Sequence, residues 1–494
     1  MRLSKLLEVL PNAELIYSGG EWDREIENIF TDSRENNPNG LFVCLTGERV
    51  DAHTKAEQSR KNGGVAFVVS RAVETDAPQI LVKDTREALS LLSQAFYGYP
   101  AKKMKIVGIT GTNGKTTTAH MLAAILGAAG KNTGVIGTLG AKFAGRETAL
   151  SLTTPDPMQL QGLFAEMLSC GVEYVIMEVS AHALFYKKVA GITFTACIFT
   201  NFTQDHLDFF TDMQAYKSAK IGLFSAECCP LAILNGDDEV GREIGEMRGE
   251  RKDIKTIYYG MQTPVECFSL CTDENLHGTE CMFNLSDELC RVRLCMVGRY
   301  NVYNALAAAS CAAELGVGME AIAVGLNGLD GVCGRLQSVG TYRRASIYVD
   351  FAHTPDGLAK SLQSLKRYCK GRLICLFGCG GNRDKSKRKI MGEVAAKNAD
   401  FTVLTSDNPR FEDPLDIIGE IENGHRGFSA RYVIVTERKN AIEYALDMLQ
   451  RDDVLLVAGK GGEQYQEIMG IKYPFNDQDI IEELLKRKGK IPLS

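Results

Sequence analysis

Short, wholly apolar runs recur along the chain, separated by longer segments with apolar residues at helical spacing. Leu41-Phe42-Val43-Cys44-Leu45 and Val65-Ala66-Phe67-Val68-Val69 predict buried strands, and a helix is predicted over 85–97. Tyr99-Pro100-Ala101 reads as a linker. Beyond it Lys105-Ile106-Val107 is strand-like, and Met121, Leu122, Ile125, Leu126 and Ala129 form the apolar face of a helix. Strands are predicted over 174–179, 196–200 and 231–234, each followed by polar residues at the end where open parallel sheets bind ligands. The stretch 251–297 reads as a strand-rich excursion of little chemical content, and 301–315 as an alanine-rich helix. A third unit begins near Ser338, where strands Leu373–Phe377, 401–405, 432–435 and Val454–Ala458 alternate with helical segments. That alternation predicts a parallel sheet with crossover helices, and hence an α/β fold class. No internal repeats, heptads or low-complexity tracts interrupt it.

At 494 residues the chain is too long for one core, and two to four domains are expected. The net charge of −6 argues against nonspecific nucleic-acid binding. No apolar stretch is long enough to cross a bilayer, and Glu8 breaks the apolar start, so neither a membrane insertion nor a secretory signal is expected. Fifteen cysteines without small-scaffold spacing suggest free thiols in a reducing cytoplasm. Cys267, Cys271, Cys281, Cys290 and Cys295 lie close together but contain no C-x-x-C pair, so buried apolar thiols are a better reading than zinc ligands.

The chemistry concentrates in Gly108-Ile109-Thr110-Gly111-Thr112-Asn113-Gly114-Lys115-Thr116-Thr117. Glycines let backbone N–H groups wrap an anion, Lys115 has the reach for the outer phosphates, and the Thr116 hydroxyl suits magnesium. Ile109 stands where the commonest form of this loop has glycine, yet strand, loop and helix come in the required order. Glu178, following four apolar residues at a strand end, is placed to meet an oxygen-preferring ion.

Further motifs follow in a fixed order. They are Phe30-Thr-Asp-Ser-Arg34, Thr153-Thr-Pro-Asp156, Met177-Glu-Val-Ser180 with His182, Thr200-Asn201, and Gln204-Asp-His-Leu-Asp208. Gly298-Arg-Tyr-Asn-Val-Tyr-Asn304, Gly334-Arg335, Asp350-Phe-Ala-His-Thr-Pro-Asp356, Gly378-Cys-Gly-Gly-Asn-Arg-Asp384 and Asp407-Asn-Pro-Arg410 complete the series. Together, over essentially the whole chain, they resemble the Mur ligase family of ATP-dependent cytoplasmic enzymes that build the peptide stem of cell-wall precursor. The resemblance is to the branch adding the third residue. It implies three domains: 1–100 for the UDP end of the substrate, 101–337 as a central P-loop ATPase with a mostly parallel sheet, and 338–494 as a Rossmann-like domain for the incoming amino acid. It further implies that meso-2,6-diaminopimelate is joined to the D-glutamyl carboxylate of UDP-N-acetylmuramoyl-L-alanyl-D-glutamate through an acyl phosphate, with ATP and Mg2+, in a monomer.

The resemblance also assigns residues. Gly111, Thr112, Asn113, Gly114, Lys115, Thr116 and Thr117 would hold the phosphates, and Asn301, Asn304, Arg335 and Asp350 the rest of ATP, Asp350 at the ribose. Metal would be held by Thr116, Glu178, His206 and a carbamylated Lys220, a lysine that alone reads as a solvated charge. Ser33, Thr153, Thr154, Ser180 and Lys188 would bind the UDP-muramoyl substrate; each alone reads equally as a turn, cap or surface residue. Diaminopimelate ends in a carboxylate as well as an ammonium, so its site needs a distal cation, and Arg410 offers a planar bidentate donor. The resemblance assigns Asp407, Asn408, Pro409 and Gly459 to the same amino-acid site, and Glu463 could pair the distal ammonium and Arg383 the proximal carboxylate. Lys188, Phe210, Gln337 and Gly462 stand where relatives usually carry Arg, His, Glu and His. These leave open a paralogue adding L-lysine or another amino acid. A folylpolyglutamate synthetase and a regulatory ATP-binding protein without ligase activity are the remaining alternatives.

Overall fold

The computed structural model describes every residue except 18, 20, 48, 49, 208, 277 and 490–494, and of residues 271 and 272 the backbone alone. Asp208 of the 204–208 motif and the side chain of Cys271 therefore lie outside the described residues.

Three sheets divide the molecule. The first runs in the order Glu14–Ile16, Gln79–Leu81, Gly64–Val69, Gly40–Val43, Asn28–Phe30, parallel except for its first strand. Gly40–Val43 is buried along its length, which is why its sequence shows no polar alternation. The helix Thr85–Phe96 starts where the Asp84 carboxylate accepts from the Arg86 and Glu87 amides.

The second sheet is built around Lys105–Thr110, which lies between Ala196–Phe199 and Tyr174–Glu178, both parallel to it. Ile106 faces one core; Val107 and Ile109 face the other, beneath the helices Lys115–Ala128 and Arg299–Glu314. Leu231–Asn235, Lys255–Gly260 and Thr133–Gly137 continue the parallel part. Further strands extend the sheet on both flanks to eleven. Gly140–Phe143 and Arg146–Thr148 lie antiparallel on one side; on the other, Cys267–Asn275 joins in parallel, and Gly278–Leu285 and Glu288–Leu294 follow antiparallel. The stretch read as an excursion is thus a continuation of the central sheet. Cys267, Cys281 and Cys290 are core residues there, whereas Cys295 is exposed.

The third sheet has the order Gln337–Tyr342, Ala345–Asp350, Val454–Ala458, Leu373–Phe377, Phe401–Leu404, Arg431–Ile434. Only its first strand is antiparallel, a hairpin the sequence reading did not foresee. Leu373, Cys375 and Phe377 pack into one face and Ile374 and Leu376 into the other, so helices cover both sides.

Side chains join the three units. Lys187, on the central unit, bonds Glu87 at 2.5 Å and Asp84 at 3.0 Å on the first. The Ser90 hydroxyl donates to the Lys187 carbonyl at 2.6 Å. Between the second and third units, Asn113 Nδ2 donates to Asp356 Oδ2 at 3.2 Å; within the second, Arg335, just ahead of the third sheet, donates from Nη2 to Thr116 Oγ1 at 2.8 Å.

Candidate functional site

One cleft of about 2140 Å3 runs between the three units. Its floor is the turn from Lys105–Thr110 into Lys115–Ala128. Glycine is required at two points of that turn. Gly111 has φ 144° and approaches Thr200 so closely that a Cβ would lie 1.9 Å from the hydroxyl; at Gly114, φ 87°, a Cβ would lie 2.3 Å from Asn304 Oδ1. Lys115 folds back over the turn, donating to the carbonyls of Gly111 and Thr112 at 2.9 Å each. Burial lowers its pKa, against the opposing pull of Glu178 and Asp205.

Glu178 ends its strand in the cleft wall, where it accepts from the amide and hydroxyl of Thr138 at 2.9 and 3.2 Å. Thr116 and Glu178, with the phosphates of a bound nucleotide, would make an all-oxygen donor set of the kind that suits magnesium. Among the described residues no cluster of three or more His, Cys, Asp or Glu side chains is placed to hold a metal ion.

His206 adopts φ 57°, and its ring lies 4.8 Å from that of His182 and 5.8 Å from that of Tyr216. Burial holds its pKa down to about 3 despite the Asp205 carboxylate, so the ring is a neutral nitrogen donor. Lys220, on the helix Met213–Ile221, does not line the cleft but lies beneath it, wholly enclosed, donating to the Gly111 carbonyl at 2.7 Å. Burial first, and then Lys115, push its pKa well below the lysine range. The solvated charge suggested by the residue alone is therefore overturned.

Asn301 and Asn304 face the phosphate turn from the helix Arg299–Glu314, with Asn304 Nδ2 donating to Asn301 Oδ1 at 3.2 Å. Asp350 ends the strand Ala345–Asp350 and accepts from the Leu336 and Ala352 amides and the Ser361 hydroxyl. Burial raises its pKa to about 6. Thr153, Thr154, Ser180 and Lys188 line the cleft toward the first unit. Thr154 Oγ1 donates to the Glu178 carbonyl at 2.9 Å, and Lys188 pairs with Asp156 at 2.8 Å. Ser33 does not line it; the hydroxyl is turned to Gln58 Oε1 at 3.4 Å. Arg86, which sequence reasoning missed, does line it, with its guanidinium 4.2 Å over the Tyr186 ring and donating to the Thr46 carbonyl at 2.6 Å.

Opposite the phosphate turn, Arg383, Asp407, Asn408, Arg410, Gly459 and Glu463 line the same cleft, while Pro409 lies behind it. Glu463 is already engaged: Lys460 Nζ and Asn408 Nδ2 donate to its Oε2 at 2.9 and 2.8 Å. Lys460 is wholly buried and was missed, although Gly459-Lys460-Gly461-Gly462-Glu463 carries it in plain view. Arg410 is paired with Glu467 at 3.0 Å. The departures have local partners too. Gln337 Oε1 accepts from the Gly334 amide at 2.9 Å, and Phe210 packs with His182, Phe185 and Tyr216. A cleft presenting a phosphate turn, oxygen donors for a cation, and an opposed cationic and amide-rich loop can activate an acid with a triphosphate and offer it an amine.

Comparison with known proteins agrees with this arrangement. Residues 25–97 match the model of the Mur ligase family catalytic domain, 109–312 the Mur ligase middle domain, and 334–461 the Mur ligase glutamate ligase domain. A UDP-N-acetylmuramoyl-L-alanyl-D-glutamate–2,6-diaminopimelate ligase of Syntrophomonas wolfei is 40% identical over 98% of this chain and all of its own. The enzyme of that name from Bacillus licheniformis is 39% identical over 97% of this chain and 98% of its own. A solved structure of a ligase of the same name superposes with a TM-score of 0.70 at 27% identity, over 98% of this chain and 99% of the other. With identity of this degree across all three units, the chain belongs to the Mur ligase family.

Proposed function

We propose that this chain is an ATP-dependent, ADP-forming ligase that joins meso-diaminopimelate to the D-glutamyl carboxylate of UDP-N-acetylmuramoyl-L-alanyl-D-glutamate, in the cytoplasmic synthesis of peptidoglycan precursor. The observation that carries this reading is that Lys115 and Arg410 line one cleft. The partition is 1–100 for the UDP end, 101–337 for ATP and 338–494 for the amino acid, within a monomer.

The carboxylate oxygen takes the γ-phosphoryl group and ADP leaves. The amine of the amino acid then attacks the acyl carbon, and phosphate departs from the tetrahedral intermediate. Gly111 to Thr117 and Lys115 hold the phosphates, Asn301, Asn304, Arg335 and Asp350 hold the remainder of ATP, and Thr153, Thr154, Ser180 and Lys188 orient the muramoyl peptide, with Ser33 at the uridine side. Thr116, Glu178, His206 and carbamylated Lys220 would hold Mg2+, which supplies charge neutralisation during phosphoryl transfer. Arg383, Asp407, Asn408, Arg410, Gly459 and Glu463 bind the amino acid, and Pro409, behind the cleft, shapes their loop.

The test is phosphate release from ATP, magnesium and the UDP-muramoyl dipeptide with either meso-diaminopimelate or L-lysine added. Turnover with diaminopimelate well above that with lysine is expected, and none with either in Lys115→Ala. Faster turnover with lysine would replace the specificity assignment.

A further inference from the structure

The surroundings of Arg410 are more specific than its motif. Its backbone lies in the left-handed region at φ 53°, which costs an arginine energy and persists only where neighbours impose it. Those neighbours are the hairpin of Tyr465–Ile468 and Ile471–Pro474: the Arg410 amide donates to the Glu467 carbonyl at 3.0 Å, and the Met469 amide to the Arg410 carbonyl at 2.7 Å. The side chain is fixed separately. Nε donates to Glu467 Oε2 at 3.0 Å and Nη1 to the Gly381 carbonyl at 2.8 Å. Gly380 packs so tightly that a Cβ there would lie 2.9 Å from Nη1. Among the described residues Nη2 has no protein partner, and the residue lines the cleft.

We propose that Glu467 is a positioning residue for amino-acid choice. By taking the Nε–H it spends one edge of the guanidinium and presents the terminal nitrogens to a distal carboxylate on the incoming amino acid. This rests on the ligase reading above. The pair carries no net charge, so the carboxylate is recognised by aimed hydrogen bonds rather than by surplus positive charge. An arginine held this way has lost its rotamer freedom before the substrate arrives, which lowers the entropic cost of binding. The backbone ladder to Arg410 does not use the Glu467 side chain, so the side chain can be changed while the loop stays in place.

The experiment compares steady-state kinetics of the full chain and of Glu467→Ala, Glu467→Gln and Glu467→Asp, with meso-diaminopimelate and with L-lysine. In Glu467→Ala the KM for diaminopimelate is expected to rise about tenfold, the effect of one charge-assisted hydrogen bond. KM for ATP and KM for lysine stay unchanged, so the preference for diaminopimelate falls. Glu467→Gln keeps an acceptor oxygen and restores most of the preference. Glu467→Asp is one methylene too short and follows the alanine variant; it serves where that variant does not fold. An unchanged or lower KM for diaminopimelate in Glu467→Ala overturns the proposal, as does an equal rise for both amino acids, which would mark a merely structural role. If the unaltered chain does not use diaminopimelate at all, the reading of the site fails first, and the proposal with it.

Discussion

A lysine only 1% exposed, with a carbonyl 2.7 Å from its amine, is an expensive arrangement unless its chemistry is used. Two causes depress the basicity of Lys220, burial and the nearby Lys115 ammonium. Its amine is therefore biased toward the neutral, nucleophilic form that the proposed carbamate requires: addition to carbon dioxide would form a C–N bond, release a proton and leave an anion able to hold a cation. The sign of the linkage is definite. A lysine whose folded pKa is depressed binds its proton less well folded than unfolded, so it costs stability at neutral pH, and that cost disappears only as pH rises to the unfolded lysine value. Lys220→Met is thus expected to melt no lower than the parent at pH 7 while losing ligase activity. In the parent, 13C-bicarbonate should give a carbamate resonance at neutral pH that fades on acidification and is absent from Lys220→Met. Full activity in that variant, or no resonance, would return Lys220 to a structural role. Nothing in Tyr216-Lys-Ser-Ala-Lys220 as a string reveals its enclosure; the resemblance singled the residue out, and the environment comes from segments a hundred residues away.

At the level of elements, the parallel strands were legible because a strand covered on both faces has no polar alternation to confuse its pattern: Leu373–Phe377 and Val454–Ala458 lie where the apolar runs end. The antiparallel strands on the flanks of the central sheet were harder, since half of their residues face solvent and their composition is mixed, as the alternating burial of Glu288–Leu294 shows. Pairings between loops were not legible at all. Arg410 with Glu467 spans 57 residues and Asn113 with Asp356 spans 243, and no local rule connects them. The same is true of Arg438 and Asp477. Each is the first residue of its helix, Arg438–Asp447 and Asp477–Arg487, and they pair at 2.7 Å with neither side chain exposed. Arg438 also donates to the carbonyls of Ala458 and Ser406, beside Gly459 and Asp407. The pair thus pins two helix starts under the amino-acid loops. Arg438→Ala leaves a buried carboxylate without its partner and should destabilise the third unit by about 3–5 kcal/mol. Urea unfolding followed by hydrogen exchange in Val454–Ala458 measures it; a loss under about 1 kcal/mol would show that water replaces the arginine.

For the whole molecule the decisive relation is that between the second and third units, because an acyl phosphate survives only where water is excluded. Besides Asn113–Asp356 in the cleft, a second clasp lies at its edge. Glu274, on Cys267–Asn275, accepts from Arg367 at 2.8 Å and from the Tyr368 hydroxyl at 2.6 Å, and Tyr348 donates to the Leu276 carbonyl at 2.9 Å. The flank of the central sheet that looked chemically empty in the sequence therefore reaches over the third unit, and Glu274 itself lines the cleft. Glu274→Ala removes a mostly shielded acceptor of two hydrogen bonds and should weaken closure by about 1–3 kcal/mol, roughly a 5- to 150-fold shift toward open forms. If closure protects the intermediate, this variant should release more than one phosphate per peptide bond formed, because water competes with the amine, and its radius of gyration with nucleotide bound should exceed that of the parent. Both quantities are measurable, by phosphate and product assays run together and by solution scattering. Scattering that opens while the stoichiometry stays one-to-one would mean that the clasp at Glu274 sets the shape of the molecule without guarding its chemistry, and the protection would then lie with Asn113–Asp356.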